Sequence, residues 1–273
     1  MTHAKKTVSC EYFHIKIMRK IIGIANQKGG VGKTTTAINL AASLATAERR
    51  TLLIDCDSQG NASTGVGMER SAIRERNIYH GLLGQCSLEE IIRRTSLPFL
   101  SVAPADQNLV GAEVEFVTMA NREKRLRRLL DDLTDDYQYI IIDCPPSLGF
   151  LTINALAAAD SLIVPLQCEY FAMEGLGNLL NTVRLVRQSF NPDLNIGGIL
   201  LTMFDARNLL SHRVSEDVRK HFGRLVFDTV IPRNVRLSEC PSHGLPIILY
   251  DIKSRGAAAY MELAREIMQN GRL

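Results

Sequence analysis

The stretch Ile21-Ile-Gly-Ile-Ala-Asn-Gln-Lys28-Gly29-Gly30-Val31-Gly32-Lys33-Thr34-Thr35 passes from an apolar, β-branched run through a glycine-rich turn into a segment of helical period. Strand, turn and helix in that order read as the opening βα unit of a parallel sheet. Glycines let the backbone fold around an anion with its N–H groups pointing inward, and the helix start adds partial positive charge. Lys33 then reaches the β and γ phosphates, and the Thr34 hydroxyl completes a Mg²⁺ shell. The segment therefore reads as a nucleoside triphosphate site. It departs from the ordinary G-x-x-x-x-G-K-[ST] pattern, because Gln27 stands where a glycine is required and a second lysine, Lys28, opens the loop.

Downstream acids support the reading. Asp143 ends the apolar run Tyr139-Ile-Ile-Ile and precedes Cys144-Pro145-Pro146-Ser147. That places a carboxylate at the carboxyl end of a central strand, beside the ligand crevice of an open α/β sheet, where it can hold Mg²⁺ through a water. A second strand leaves at the same edge in Leu52-Leu53-Ile54-Asp55-Cys56-Asp57-Ser58-Gln59-Gly60. One acid there orients an attacking water, since phosphoryl transfer depends on positioning more than on a strong base. Spacing leaves both Asp55 and Asp57 open for that role.

The rest of the chain repeats the alternation. Strands are expected at Ile21 to Asn26, Thr51 to Asp55, Phe99 to Ala103, Tyr139 to Asp143, Ser161 to Pro165, Ile196 to Thr202 and Val226 to Val230. As continuous apolar runs they suit strands buried on both faces. Helices are expected at Thr34 to Ala47, Arg122 to Leu133, Ala172 to Phe190, Ser211 to Phe222 and Ala257 to Met268. The expected fold is a doubly wound, mostly parallel α/β sheet of the P-loop NTPase type, with a deviant Walker A loop. Residues 18–273 read as a single domain. Residues 1–17 lack the apolar run and cleavage site of a secretory signal, and are expected to be a disordered extension.

Composition agrees and excludes other classes. The 273 residues are 46% apolar and 22% charged, which rules out disordered and fibrous chains. The six cysteines (Cys10, Cys56, Cys86, Cys144, Cys168, Cys240) are scattered, with no C-x-x-C pair, so buried reduced thiols and a cytoplasmic setting are expected. The longest apolar stretch, around Ala155 to Leu166, is broken by Asp160 and Pro165, too short for a membrane span. Net charge is only +3, but residues 204–236 carry seven bases against four acids. Such a segment hints at an anionic partner.

Together these motifs identify a family resemblance. Asn26 to Thr35 resembles the deviant Walker A box of the ParA/MinD ATPases. Leu53 to Ala62, Ile140 to Ser147 and Ile231-Pro-Arg-Asn-Val-Arg-Leu-Ser-Glu239 resemble the ParA/Soj chromosome-partitioning branch. The likeness spans about residues 18–270. It implies ATP and Mg²⁺ bound by Lys28, Gly29, Gly30, Val31, Gly32, Lys33, Thr34 and Thr35, with Pro232, Arg233 and Asn234 at the adenine. By the same resemblance Thr34 and Asp143 hold the metal, Asp57 rather than Asp55 positions the hydrolytic water, and Lys28 crosses to the ATP of a second copy in a nucleotide-sandwich homodimer. The charge left on a triphosphate with one Mg²⁺ gives that crossing a physical reason, as for an arginine finger.

The resemblance further implies nonspecific DNA binding through Arg207 and Arg236, a ParB-type centromere-binding partner that stimulates turnover, and a cytoplasmic, nucleoid-associated protein. Arg213, Arg219, Lys220, Arg224 and Arg233 complete the basic segment, and phosphate contacts of this kind carry no base readout. Two competing readings follow from the same loop. A MinD-like membrane switch would use a C-terminal amphipathic helix, but Glu262 and Glu266 interrupt the cationic face that anionic lipid favours. An electron-transfer ATPase like the nitrogenase iron protein would need a cluster-forming cysteine pattern, which the sequence does not show.

Overall fold

Strands β2 (Thr51–Asp55) and β5 (Tyr139–Asp143) are buried at every position, and β1 (Lys20–Ile24) at all but its first. The computed structural model describes residues 19–169 and 172–270, so the extension expected over residues 1–17 lies outside the described residues. With β3 (Arg93–Arg94), β4 (Leu100–Ala103), β6 (Ser161–Gln167) and β7 (Asn195–Thr202) these strands form one sheet in the order β3-β4-β2-β5-β1-β6-β7. Every pairing is parallel except the short edge between β3 and β4.

Alternation along each strand divides the interior in two. Ile21, Leu52, Ile54, Ile140 and Ile142 pack against the helices Phe150–Ala158 and Ala172–Ser189. Ile22, Ile24, Leu53 and Ile141 face the other way, onto the helix Lys33–Thr46 and the C-terminal helix Arg255–Asn270. Helices on both faces of a mostly parallel sheet make the expected doubly wound fold. The register sets Asp143 level with Ile24 on one side and with Asp55 on the other, so β1, β2 and β5 end together. From β1 the chain builds outward through β2 and β4, then returns through β5 and crosses to β6 and β7. Ligands of such sheets sit outside the carboxyl ends of the strands at this reversal.

Two expectations need correction, and one helix had no signal in the sequence. Val226 to Val230 is not a strand: it makes a single bridge at Ile199–Val226, and the next bridge, Phe204–Pro232, lies beyond it. The reason lies in its donors, since the Asp228 and Thr229 N–H groups go to the Glu266 carboxylate (2.9 and 3.0 Å) instead of a ladder. The helix expected over Arg122 to Leu133 is a 3₁₀ turn, Arg122–Lys124, followed by an α-helix, Arg125–Asp131. The Asn154 side chain joins the two, accepting from Leu126 N–H and donating to the Arg122 carbonyl. Phe150–Ala158 was not expected as a helix, because its residues are buried almost all round and leave no period to read.

Candidate functional site

The glycine-rich turn leaves β1 at the carboxyl edge and is tied down from two neighbouring strands, β6 and β7. Asn26 donates its amide to the Pro165 carbonyl at the end of β6 (2.7 Å) and accepts from Lys28 N–H (3.0 Å). The Thr202 hydroxyl of β7 donates to the Val31 carbonyl (2.8 Å). Gly30 and Gly32 have φ of 75° and 88°, a left-handed path that side chains disfavour. The 14-residue helix Lys33–Thr46 follows without a side-chain cap, so its first N–H groups face the crevice with the positive end of the helix dipole.

Lys33 is 7% exposed and donates from Nζ to the Lys28 carbonyl at 3.1 Å. Burial pulls its pKa down, against the opposing fields of Asp143, Cys144 and Asp57. The sequence-predicted lysine and both predicted acids thus converge. Asp143 is fully buried, and neither carboxylate oxygen has a hydrogen-bond partner. Burial, reinforced by the negative field of Asp55, pushes its pKa well above the ordinary carboxylate range, while nearby Thr34 and Lys33 favour the ionised form. Two orphaned oxygens beside the Thr34 hydroxyl fit a divalent cation with its waters, which is the donor chemistry Mg²⁺ takes.

The two remaining acids differ sharply. Asp55 accepts the Ser63 N–H (2.8 Å) and hydroxyl (2.7 Å) on Oδ2 and the Asp57 N–H (3.1 Å) on Oδ1, so its carboxylate is fully engaged within the chain. Asp57 lies at the crevice edge, and among the described residues only its Oδ1 is engaged, by Gln59 N–H at 3.0 Å. Lys28 turns along its own chain: its ammonium meets Glu169 Oε2 at 2.6 Å, while Gln167 donates to the other carboxylate oxygen at 2.5 Å.

Pro232, Arg233 and Asn234 come back to the loop. A cavity of about 360 Å³ has Gly32 and Thr35 on one side, Ile231 to Asn234 on the other, and Met203 between them. The turn is held by Phe204 N–H on the Ile231 carbonyl and Arg233 N–H on the Phe204 carbonyl, and the Asn234 side chain caps the helix Val235–Glu239. Arg207 and Arg236 are both on the surface and both ion-paired: Arg207 with Asp205 (3.2 Å), Arg236 with Glu239 (2.9 Å) and Asp251 (3.6 Å).

This geometry meets its counterpart in known proteins. An AAA domain family model (AAA_31) matches residues 19–196. The chain is 60% identical to the chromosome partitioning protein ParA of Myxococcus xanthus, over 92% of this chain and 88% of that one. It is 56% identical to the sporulation initiation inhibitor protein Soj of Bacillus subtilis, over 93% and 100%. The chain belongs to the ParA/Soj family of partitioning ATPases. A crystal structure of cobyrinic acid a,c-diamide synthase from Mycobacterium smegmatis, with bound ADP and magnesium, superposes with a TM-score of 0.81 at 38% identity, covering 93% of this chain and 97% of that one.

For a ParA/Soj chain, two competing uses of the fold now have structural counterparts. The apolar stripe of Arg255–Asn270 is packed inward, with Ala257, Tyr260, Leu263 and Ile267 all buried and the Tyr260 hydroxyl 3.2 Å from that of Thr36. Among the described residues no helix is long and apolar enough to cross a membrane. Cys144 is buried against the site, and burial raises its thiol pKa far out of the thiolate range. Sequence reasoning missed Glu169, Thr202 and Met203, which reach the loop from β6 and β7. It also missed Ser63, although Ser63 lies six residues beyond Asp57 in the same stretch.

Proposed function

We propose that this chain is a DNA-partitioning ATPase that pairs around ATP·Mg²⁺, holds DNA without sequence preference and releases it after hydrolysis. The observation that carries the reading is the convergence of Lys33, Asp143 and Asp57 at one sheet edge, under a glycine loop whose other wall is the Pro232 to Asn234 turn. Lys33 and the helix start bind the phosphates, Thr34 and Asp143 hold the metal, and the turn takes the adenine. Mg²⁺, when bound, supplies charge neutralisation on the β and γ oxygens. Asp57, with one carboxylate oxygen uncommitted, orients the water that attacks the γ phosphorus, and ADP leaves.

Lys28 leaves Glu169 and reaches the ATP of a second copy, closing a homodimer whose formation depends on the triphosphate. Arg207 and Arg236 then contact DNA phosphates from two faces of one rigid body, which gains effective concentration. Both arginines must exchange carboxylate partners for phosphate, an exchange that costs little at exposed positions. A ParB-type centromere-binding protein stimulates turnover, so the cycle segregates a bacterial chromosome or plasmid from a cytoplasmic, nucleoid-associated pool. Residues 18–273 act as one domain, preceded by the extension 1–17.

DNA retention measured with ATP, with ADP and without nucleotide tests the reading. Retention with ATP alone is expected, and equal retention in all three conditions would overturn it. Liposome sedimentation with ATP separates it from a membrane switch, for which the C-terminal helix would have to free an apolar stripe that is packed inward among the described residues.

A further inference from the structure

The carboxylate of Asp55 sits at the centre of a closed set of bonds that ends at Asp57. Its Oδ1 receives the Asp57 N–H, and its Oδ2 receives both donors of Ser63. The Ser63 hydroxyl, having donated to Asp55, accepts the Ala105 N–H at 3.0 Å, which carries the linkage across to the segment leaving β4. Gly60 closes the circuit: its N–H donates to the Asp57 carbonyl (2.9 Å), and a Cβ there would stand 2.8 Å from the Ala105 carbonyl oxygen at a φ of +63°. The Asp57 loop is therefore held at its amide, its carbonyl and its exit, and two of the three fixings run through groups bonded to or pressed on Ala105.

The geometry points to Asp55 as a positioning residue for hydrolysis, acting through Asp57 by fixing the backbone that aims its carboxylate. This rests on the reading of Asp57 as the residue that orients water. Asp55 is fully buried, and both of its oxygens already accept from N–H or O–H donors of its own chain. Its contribution is angular. Displacing a positioned group by about 1 Å costs on the order of 100-fold in rate, with little effect on a phosphate grip made elsewhere. Bonds from Ser63 and Asp57 need an acceptor on both oxygens of residue 55, which an amide cannot offer.

Steady-state ATP hydrolysis and calorimetric ATP affinity should be measured for Asp55→Asn, Ser63→Ala, Asp57→Ala and the double variant Asp55→Asn/Asp57→Ala. Asp55→Asn is expected to lower kcat by about 10- to 100-fold with ATP affinity within about twofold. Ser63→Ala keeps the amide bond to Asp55 and loses the hydroxyl link to Ala105. It is expected to lower kcat by about 3- to 10-fold, and it keeps the inference testable should Asp55→Asn not fold. In the Asp57→Ala background, Asp55→Asn should add nothing, because the group it aims is gone. Undiminished kcat in both single variants, a loss confined to ATP affinity, or a multiplicative loss in the double variant would overturn the inference. Wild-type hydrolysis by Asp57→Ala alone would instead overturn the underlying reading of Asp57.

Discussion

Asp143→Asn is expected to make the nucleotide-free protein more stable while removing its response to magnesium. The wild-type carboxylate is fully buried with two unpaired oxygens, and only Lys33 and Thr34 favour its charge. An uncompensated buried ion costs several kcal/mol, of which Lys33 offsets a part. A neutral side chain of the same shape recovers on the order of 2 kcal/mol. In a domain of this size each kcal/mol moves Tm by about 2–4 °C, so the nucleotide-free variant should melt about 4–8 °C higher. ATP with Mg²⁺ at about 100 times its Kd stabilises a binding-competent protein by about 2.7 kcal/mol, and the variant should lose the magnesium-dependent share of that gain.

Scanning calorimetry of both proteins, with and without nucleotide and metal, reads the two effects. The pH dependence has a definite sign. Burial raises Asp143 and holds Asp55 at about 6, so both bind protons more tightly folded than unfolded. Their stabilising contribution is complete below the ordinary carboxylate range and is lost as pH rises through about 6 and beyond. Wild-type protein should therefore close the gap to Asp143→Asn as pH is lowered from about 8 toward about 5. A variant that melts at or below wild type at neutral pH, or that keeps the full magnesium-dependent shift, would refute the assignment.

Lys33→Ala should abolish ATP binding, and calorimetry showing wild-type affinity would contradict the phosphate role built on its buried position. Glu169→Gln frees Lys28 from a partly exposed pair worth at most about 1 kcal/mol in each copy, so with two pairs released per dimer the ATP-dependent dimer should form at up to about 30-fold lower protein concentration in sedimentation velocity. An unchanged or raised threshold would show that the pair does not compete with dimerisation. Arg207→Glu with Arg236→Glu should leave dimerisation intact and lose DNA. In single substitutions to Ala, the slope of log affinity against log salt should fall by about 0.9 for each phosphate contact removed, and an unaltered slope would exclude that arginine from the DNA face.

What the sequence made legible was whatever lies in one continuous stretch. The loop from Asn26 to Thr35, the buried strands ending in Asp55 and Asp143, and the doubly wound sheet follow from local pattern, because each is set by neighbours a few residues away. The choice between Asp55 and Asp57 does not, since both stand at the same strand end and differ in whether Ser63 captures the side chain. Lys28 and Glu169 are 141 residues apart, and only the adjacency of β1 and β6 brings them together. Val226 to Val230 has the composition of a strand, yet Glu266, far along the chain, takes its N–H groups. Tertiary partners set each of these contacts.

The central claim is that Lys28 acts on the nucleotide of a second copy, and its most direct test is the mass of the Asp57→Ala protein with ATP and Mg²⁺, measured by light scattering. The account predicts twice the 30.3 kDa of one chain, falling back to one chain when Lys28→Ala is added while ATP is still bound. A single-chain mass with ATP, or a dimer that persists without Lys28, would contradict it.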